Sequence, residues 1–212
     1  ALWAREVLGL QPDPWQSGVL RSDARRILLN CSRQSGKSTI TSALALHTAI
    51  YRPGSLVLCL SPTLRQSGEL FHNVTRFYAV VAGKFPAAAE SALRLELENG
   101  SRIISLPGQE QNVRGYAGVS LLVVDEAARV PDDLYFAVRP MLAVSGGRLI
   151  ALSTPFGKRG WFYREWVEGQ GWERHKITAT DCPRISPEFL EEERRSMPAA
   201  WFAAEYMCEF TE

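Results

Sequence analysis

Four short runs of apolar residues frame the chain: Ile27-Leu28-Leu29, Ser55-Leu56-Val57-Leu58-Cys59-Leu60, Leu121-Leu122-Val123-Val124 and Arg148-Leu149-Ile150-Ala151-Leu152. Apolar runs without polar alternation mark strands covered on both faces, as in parallel sheets flanked by helices. The stretches between them carry helical spacing. Ile40 to Ile50 reads as one helix, and Thr63 to Ala82 as another, with Leu70, Val74, Phe77 and Tyr78 on one face and Gly83 at its end. Leu93 to Leu97 alternates, Asn99-Gly100 turns, and Arg102 to Leu106 returns, which predicts a hairpin with one wet face. Ala1 to Leu20 reads as a short helical segment broken by the two prolines of Pro12-Asp13-Pro14-Trp15-Gln16. Trp161 to Glu168 predicts a helix, Trp172 to Ile177 a last strand, and Pro187 to Glu209 a charged amphipathic helix with a break point at Pro198. Strands alternating with helices predict an α/β domain around a mostly parallel sheet. The composition shift at Asp181-Cys182-Pro183 divides it into a core, 1–180, and a small helical lid or linker, 181–212.

The 212 residues, 46% hydrophobic and 22% charged, suffice for one buried core with a small appendage. A net charge of +1 excludes a general basic field, so any nucleic-acid contact must come from local clusters. Arg21, Arg25 and Arg26 form one such cluster and Lys158-Arg159 another; solvated faces are the plainer reading of both. The four cysteines form no CxxC pair and suit reduced thiols in a cytoplasm. No apolar run approaches the roughly 18 residues of a membrane helix, which predicts a soluble chain without a membrane partner.

The chemistry begins at Cys31-Ser32-Arg33-Gln34-Ser35-Gly36-Lys37-Ser38-Thr39, placed between the first apolar run and a helix. A strand, a tight loop and a helix start are the context a P-loop requires, because the loop's N–H groups and the helix dipole then meet phosphate oxygens together. Lys37 would reach the β- and γ-phosphates of ATP and Ser38 would ligate Mg²⁺. Where the pattern asks for its first glycine the chain has Cys31. A second signal is Leu121-Leu122-Val123-Val124-Asp125-Glu126, an apolar strand ending in paired acids. Asp125 suits the metal side and Glu126 a base that polarises water for attack on the γ-phosphate. Ser153-Thr154-Pro155 closes another strand, at the edge where open α/β sheets bind ligands. Ser153 or Thr154 would contact the γ-phosphate or the attacking water, or simply cap the strand exit. Upstream, Trp15 either lies near adenine or anchors a helix on the core, while Gln16 carries an amide able to pair with that base edge.

With Ser32 to Ser38, Val123-Val124-Asp125-Glu126-Ala127 and Ser153-Thr154-Pro155-Phe156-Gly157 in this order, the chain resembles the ATPase domain of large terminase subunits of tailed bacteriophages. The aromatic segment Trp161-Phe162-Tyr163-Arg164-Glu165-Trp166 and the closing Trp201 to Phe210 add to the likeness. The resemblance implies a P-loop NTPase of the ASCE/RecA-like class that hydrolyses ATP with Mg²⁺ to pump double-stranded DNA into a capsid. It implies a ring, usually a pentamer, docked on the portal protein in the host cytoplasm, with the small terminase subunit as a further partner and the isolated domain monomeric. Carried over by position, Ser32, Arg33, Gln34, Ser35, Gly36, Lys37, Ser38 and Thr39 hold nucleotide, Gln16 contacts adenine, Ser38 and Asp125 hold metal, Glu126 is the base, and Ser153-Thr154 couples. Arg33, in cis, and Arg114, offered to a neighbour, are the candidate transition-state arginines. A loop-bracing ion pair for Arg33 and a solvated turn for Arg114 are the alternatives. The family's nuclease cluster lies beyond the equivalent of Glu212, so the expectation is hydrolysis without DNA cleavage. Rival readings are a helicase-like remodelling ATPase, disfavoured because no second sheet fits the remaining residues, and a nucleotide-gated binding module, for which Glu126 would be superfluous.

Overall fold

The structure, a computed structural model, describes residues 1–108, 113 and 115–212. Its strands are β1 (Arg26–Cys31), β2 (Leu56–Ser61), β3 (Ala87–Ser91), β4 (Arg94–Leu97), β5 (Arg102–Pro107), β6 (Val119–Asp125), β7 (Arg148–Ser153) and β8 (Glu173–Ile177). They form one sheet in the order β3-β4-β5-β2-β6-β7-β1-β8. All pairings from β5 to β8 are parallel, and β3-β4 and β4-β5 are antiparallel. The hairpin read from Asn99-Gly100 is β4-β5, and its second strand joins the parallel sheet against β2.

The continuous apolar runs are explained by two cores, one on each face. Ile27, Leu29, Val57, Cys59, Leu121, Val123, Ile150 and Leu152 point to one, where α3 (Lys37–Tyr51) and α4 (Leu64–Val81) pack. Their neighbours Leu28, Leu58, Leu122, Val124, Leu149 and Ala151 point to the other, beneath α5 (Asp132–Val138) and α6 (Gly160–Val167). Alternate residues of a strand face opposite sides, so a strand between two helical layers must be apolar throughout. Trp161 of α6 stacks on Tyr135 of α5 with ring centroids 3.9 Å apart, and Asp132 accepts the Trp161 N–H at 2.7 Å.

The amino-terminal segment forms α1 (Leu2–Glu6) and α2 (Pro14–Arg21), separated where the prolines stand. The last helical stretch is two helices, α7 (Pro187–Ser196) and α8 (Ala199–Glu205), with Pro198 as the cap residue of the second. They enclose a small core of Ala179, Leu190 and Phe202. The sequence pattern predicts neither β3 nor α5. The first has the composition Ala-Ala-Ala-Glu-Ser and is largely exposed, so it has no apolar alternation to read. Among the described residues no helix is long and apolar enough to cross a membrane.

Candidate active site

The carboxyl ends of β1, β6 and β7 bring the two chemical stretches together, with β7 lying between the other two. The loop from Ser32 to Gly36 turns through left-handed backbone at Gln34 (φ 56°) and Gly36 (φ 85°), and α3 begins at Lys37. Only glycine fits at 36: a Cβ there would lie 2.7 Å from Gln16 Nε2, in addition to the positive φ. Such a loop gathers successive N–H groups into a concave surface that suits anions, and the α3 dipole adds to it. Cys31 is the last residue of β1, fully buried and paired with Ile177. Its backbone is not left-handed, so this loop has no need of a glycine there.

Lys37 is buried with its Nζ 3.4 Å from Glu126 Oε1. Burial pulls its pKa down, but the adjacent Glu126 and Asp125 carboxylates outweigh that and hold it above the usual lysine value. Asp125 closes β6. Its Oδ2 accepts from Ser38 Oγ at 3.1 Å and its Oδ1 from the Glu126 N–H at 2.9 Å. Burial, then the neighbouring Glu126, push its pKa up to about 6, against the pull of Lys37. A carboxylate so placed gains from a cation, and the hydroxyl and carboxylate oxygens of Ser38 and Asp125 are the hard donors that Mg²⁺ takes alongside phosphates. The residues therefore fit the metal. Glu126 is left-handed at φ 48°, ψ 44°, a costly conformation for a glutamate that directs the chain straight from β6 into a tight turn at Ala127–Arg129. Ser153, at the end of β7, braces this turn: its Oγ accepts the Ala128 N–H at 3.2 Å. Thr154 is buried beside it.

Ser32 is buried, its Oγ 3.9 Å from Cys182 Sγ, and Thr39 is half-buried in the first turn of α3. Gln16 is buried against the loop, accepting the Asp13 N–H through Oε1 at 2.9 Å and donating from Nε2 to the Ser35 carbonyl at 3.4 Å. Trp15 packs on the core. Arg33 is ion-paired with Glu205 of α8 at 2.5 Å, with its side chain largely in solvent. Arg114 lies outside the described residues. Lys158 is 3.7 Å from Glu212, and the Arg159 guanidinium lies 4.3 Å from the Phe156 ring centroid.

Arg33, Gln34, Lys37, Pro62, Thr63, Gln66, Glu126 and Arg129 line one open cleft of about 700 Å³. Arg129, Thr63 and Gln66 were not legible as site residues, although a cation three residues past the acid pair is a signal for the first. Arg184 was missed as well: it bonds both Asp13 oxygens, at 2.9 and 2.7 Å, and the Ser35 carbonyl at 3.0 Å. No local motif marks it.

Residues 28–212 match the family described as terminase large subunit, T4likevirus-type, N-terminal. The chain is 30% identical over 205 residues to the terminase large subunit of Thermus virus P23-45, covering 87% of this chain and 42% of that protein. The corresponding protein of Thermus phage G20c is 29% identical with the same coverage. The chain therefore spans less than half the length of these curated relatives. Among solved structures, the large terminase ATPase domain of Thermus phage P74-26 superimposes with a TM-score of 0.87 at 26% identity, covering 98% of this chain and 97% of that one. The large terminase of the thermophilic bacteriophage D6E in complex with ADP shares the fold, with a TM-score of 0.77 at 16% identity over 94% of this chain and 54% of its own.

Proposed function

The chain belongs to the T4likevirus-type terminase large subunits, in their N-terminal part, and on that premise we propose that it hydrolyses ATP to ADP and phosphate to drive double-stranded DNA into a viral capsid. The observation that carries this reading is the convergence of the P-loop lysine and the acid pair, with Lys37 Nζ 3.4 Å from Glu126 Oε1 and Ser38 Oγ 3.1 Å from Asp125 Oδ2. Ser32 and Arg33 give their backbone N–H groups to the Ile177 and Glu205 carbonyls, so the loop N–H groups from Gln34 to Thr39 receive the phosphates, and Lys37 exchanges its Glu126 partner for phosphate oxygens. Glu126, released from the lysine, accepts the proton of the attacking water as that oxygen bonds to the γ-phosphorus and the bond to the leaving ADP breaks. Ser38 and Asp125 would hold Mg²⁺, which would supply charge neutralisation to the phosphates. Ser153 supports the Glu126 turn through the Ala128 N–H, Thr154 beside it contacts the γ-phosphate or the attacking water, and Gln16 contacts adenine. Positioning and electrostatics supply the rate, since phosphoryl transfer leaves little covalent work to the protein.

Arg33 in cis, or Arg114 donated to a neighbouring subunit, completes the charge stabilisation, and an arginine so supplied contributes roughly 10³- to 10⁵-fold. Family membership implies the working ring, the portal protein and the small terminase subunit as partners. Residues 181–212 act as a lid, a role supported by the contacts of Arg184 and Glu205 with the P-loop.

The test is MgATP turnover against protein concentration, with Glu126→Gln alongside. We expect a rate per subunit that rises with concentration and falls by about 10²- to 10⁴-fold in the variant, the usual contribution of a general base. Tight ATP binding with no turnover that depends on Glu126 at any concentration would favour a nucleotide-gated binding module instead.

A further inference from the structure

Ser35 precedes Gly36-Lys37-Ser38, and its carbonyl receives two side-chain donors from distant parts of the chain: Arg184 Nη2 at 3.0 Å and Gln16 Nε2 at 3.4 Å. Both donors are themselves held by Asp13. Its carboxylate, on a residue only 8% exposed, takes both prongs of the Arg184 guanidinium at 2.9 and 2.7 Å, and its N–H binds Gln16 Oε1 at 2.9 Å. The four residues thus close a circuit, Asp13 to Arg184 to Ser35 to Gln16 and back to Asp13. Bidentate, charge-assisted bonds of this kind are the stronger and more directional ones. A Cβ at Gly36 would meet Gln16 Nε2 at 2.7 Å and Arg184 Nη2 at 3.5 Å, so both braces lie directly against the loop.

A trans peptide is planar, with its C=O and N–H pointing opposite ways. Two donors that pin the Ser35 carbonyl to one side therefore aim the Gly36 N–H to the other, away from both donors. We propose that Arg184 is a positioning residue for nucleotide binding: with Asp13 and Gln16 it locks the Ser35–Gly36 peptide so that the Gly36 N–H faces the phosphates. The inference rests on the nucleotide-binding reading above. It adds a residue from beyond β8 to the phosphate cradle, and it couples the 181–212 segment to the loop through hydrogen bonds rather than through apolar contact. Gln16 keeps one amide hydrogen and one carbonyl lone pair in reserve, so bracing the loop does not exclude its meeting a base.

The experiment measures MgADP and MgATPγS affinity by calorimetry, steady-state KM and kcat for ATP, and the thermal midpoint without nucleotide. Wild type is compared with Arg184→Ala, Arg184→Lys, Asp13→Asn and the Asp13→Asn/Arg184→Ala double variant. Arg184→Ala is expected to weaken both nucleotides alike by about ten- to a hundredfold, the span for a bond to a charged group, with KM rising more than kcat falls. The double variant should bind no worse than Arg184→Ala alone, because both changes open the same circuit. Lysine keeps the charge but lacks the planar fork, so it should not restore affinity. Full restoration by lysine would show a plain electrostatic effect and overturn the brace. So would a lowered thermal midpoint with nucleotide affinity intact. A wild-type protein that binds neither nucleotide would overturn the nucleotide reading together with the brace, whereas normal binding in Arg184→Ala overturns the brace alone.

Discussion

Cys31 shows how much a single position in a motif depends on its backbone. A glycine at the start of a P-loop is needed only where the chain turns at that point, and here β1 runs extended through Cys31 before the turn begins. The side chain is fully buried in the core beneath the loop, where burial pushes the thiol pKa up and keeps it unreactive. Restoring the motif by Cys31→Gly should therefore do harm. We expect a loss of about 1–3 kcal/mol, from the vanished side chain and the added backbone freedom, in a urea titration. Nucleotide affinity should stay as in wild type. Glu126 carries the opposite lesson. The acid pair is plain in the sequence, but the left-handed backbone at its second member, Glu126, appears only in the structure.

At the scale of elements, the strand ends decide which side chains meet. β8 lies at the edge of the sheet, where Glu173 accepts from Ser22 Oγ at 2.7 Å and sits 2.6 Å from His175 Nε2. This ties the end of α2 to the last strand. Burial would raise the Glu173 pKa, but the bonds from His175 and Ser22 outweigh it and hold the carboxyl below its ordinary 4.5. A depressed carboxylate pKa stabilises the fold above the unfolded value, and that contribution is lost as pH falls through the folded one. Urea midpoints followed from about pH 6 to pH 3 should thus fall less steeply for Glu173→Gln than for wild type, with the gap between the two curves closing below pH 4.5. Parallel curves would show that the carboxylate adds nothing to the edge.

Over the whole molecule the two basic clusters prove unequal. Lys158 is near Glu212, whereas Arg25 and Arg26 are joined by Arg139 around a cleft of about 510 Å³ at the other end of the sheet from the P-loop; Arg159 and Arg139 each lie over a ring, of Phe156 and Tyr135. Among the described residues no ion pair ties Arg25, Arg26 or Arg139 to a carboxylate. Guanidinium groups without a carboxylate partner are the ones that gain from a phosphate. Replacing these three by alanine should weaken duplex binding in fluorescence anisotropy and flatten the plot of log K against log salt by roughly 0.9 for each phosphate no longer neutralised. Lys158→Ala/Arg159→Ala should change the slope less. An unchanged slope in the triple variant would mean that this face carries no duplex.

The sequence by itself determined the parts whose signals are local. Apolar runs marked the doubly covered strands, the Asn99-Gly100 turn marked the β4-β5 hairpin, and Gly36-Lys37-Ser38 and Asp125-Glu126 marked the two polar stretches that the fold brings together. Each depends on a period or a spacing within a few residues, which a linear pattern preserves. The tertiary structure decided which of these became neighbours. The insertion of β7 between β1 and β6 lets Ser153 brace the Glu126 turn, and the return of the chain after β8 brings Arg184 and Glu205 to the P-loop. Those bonds join residues from 25 to 172 positions apart. They follow from the order of strands in the sheet and the reach of single side chains, neither of which leaves a periodic trace in the sequence.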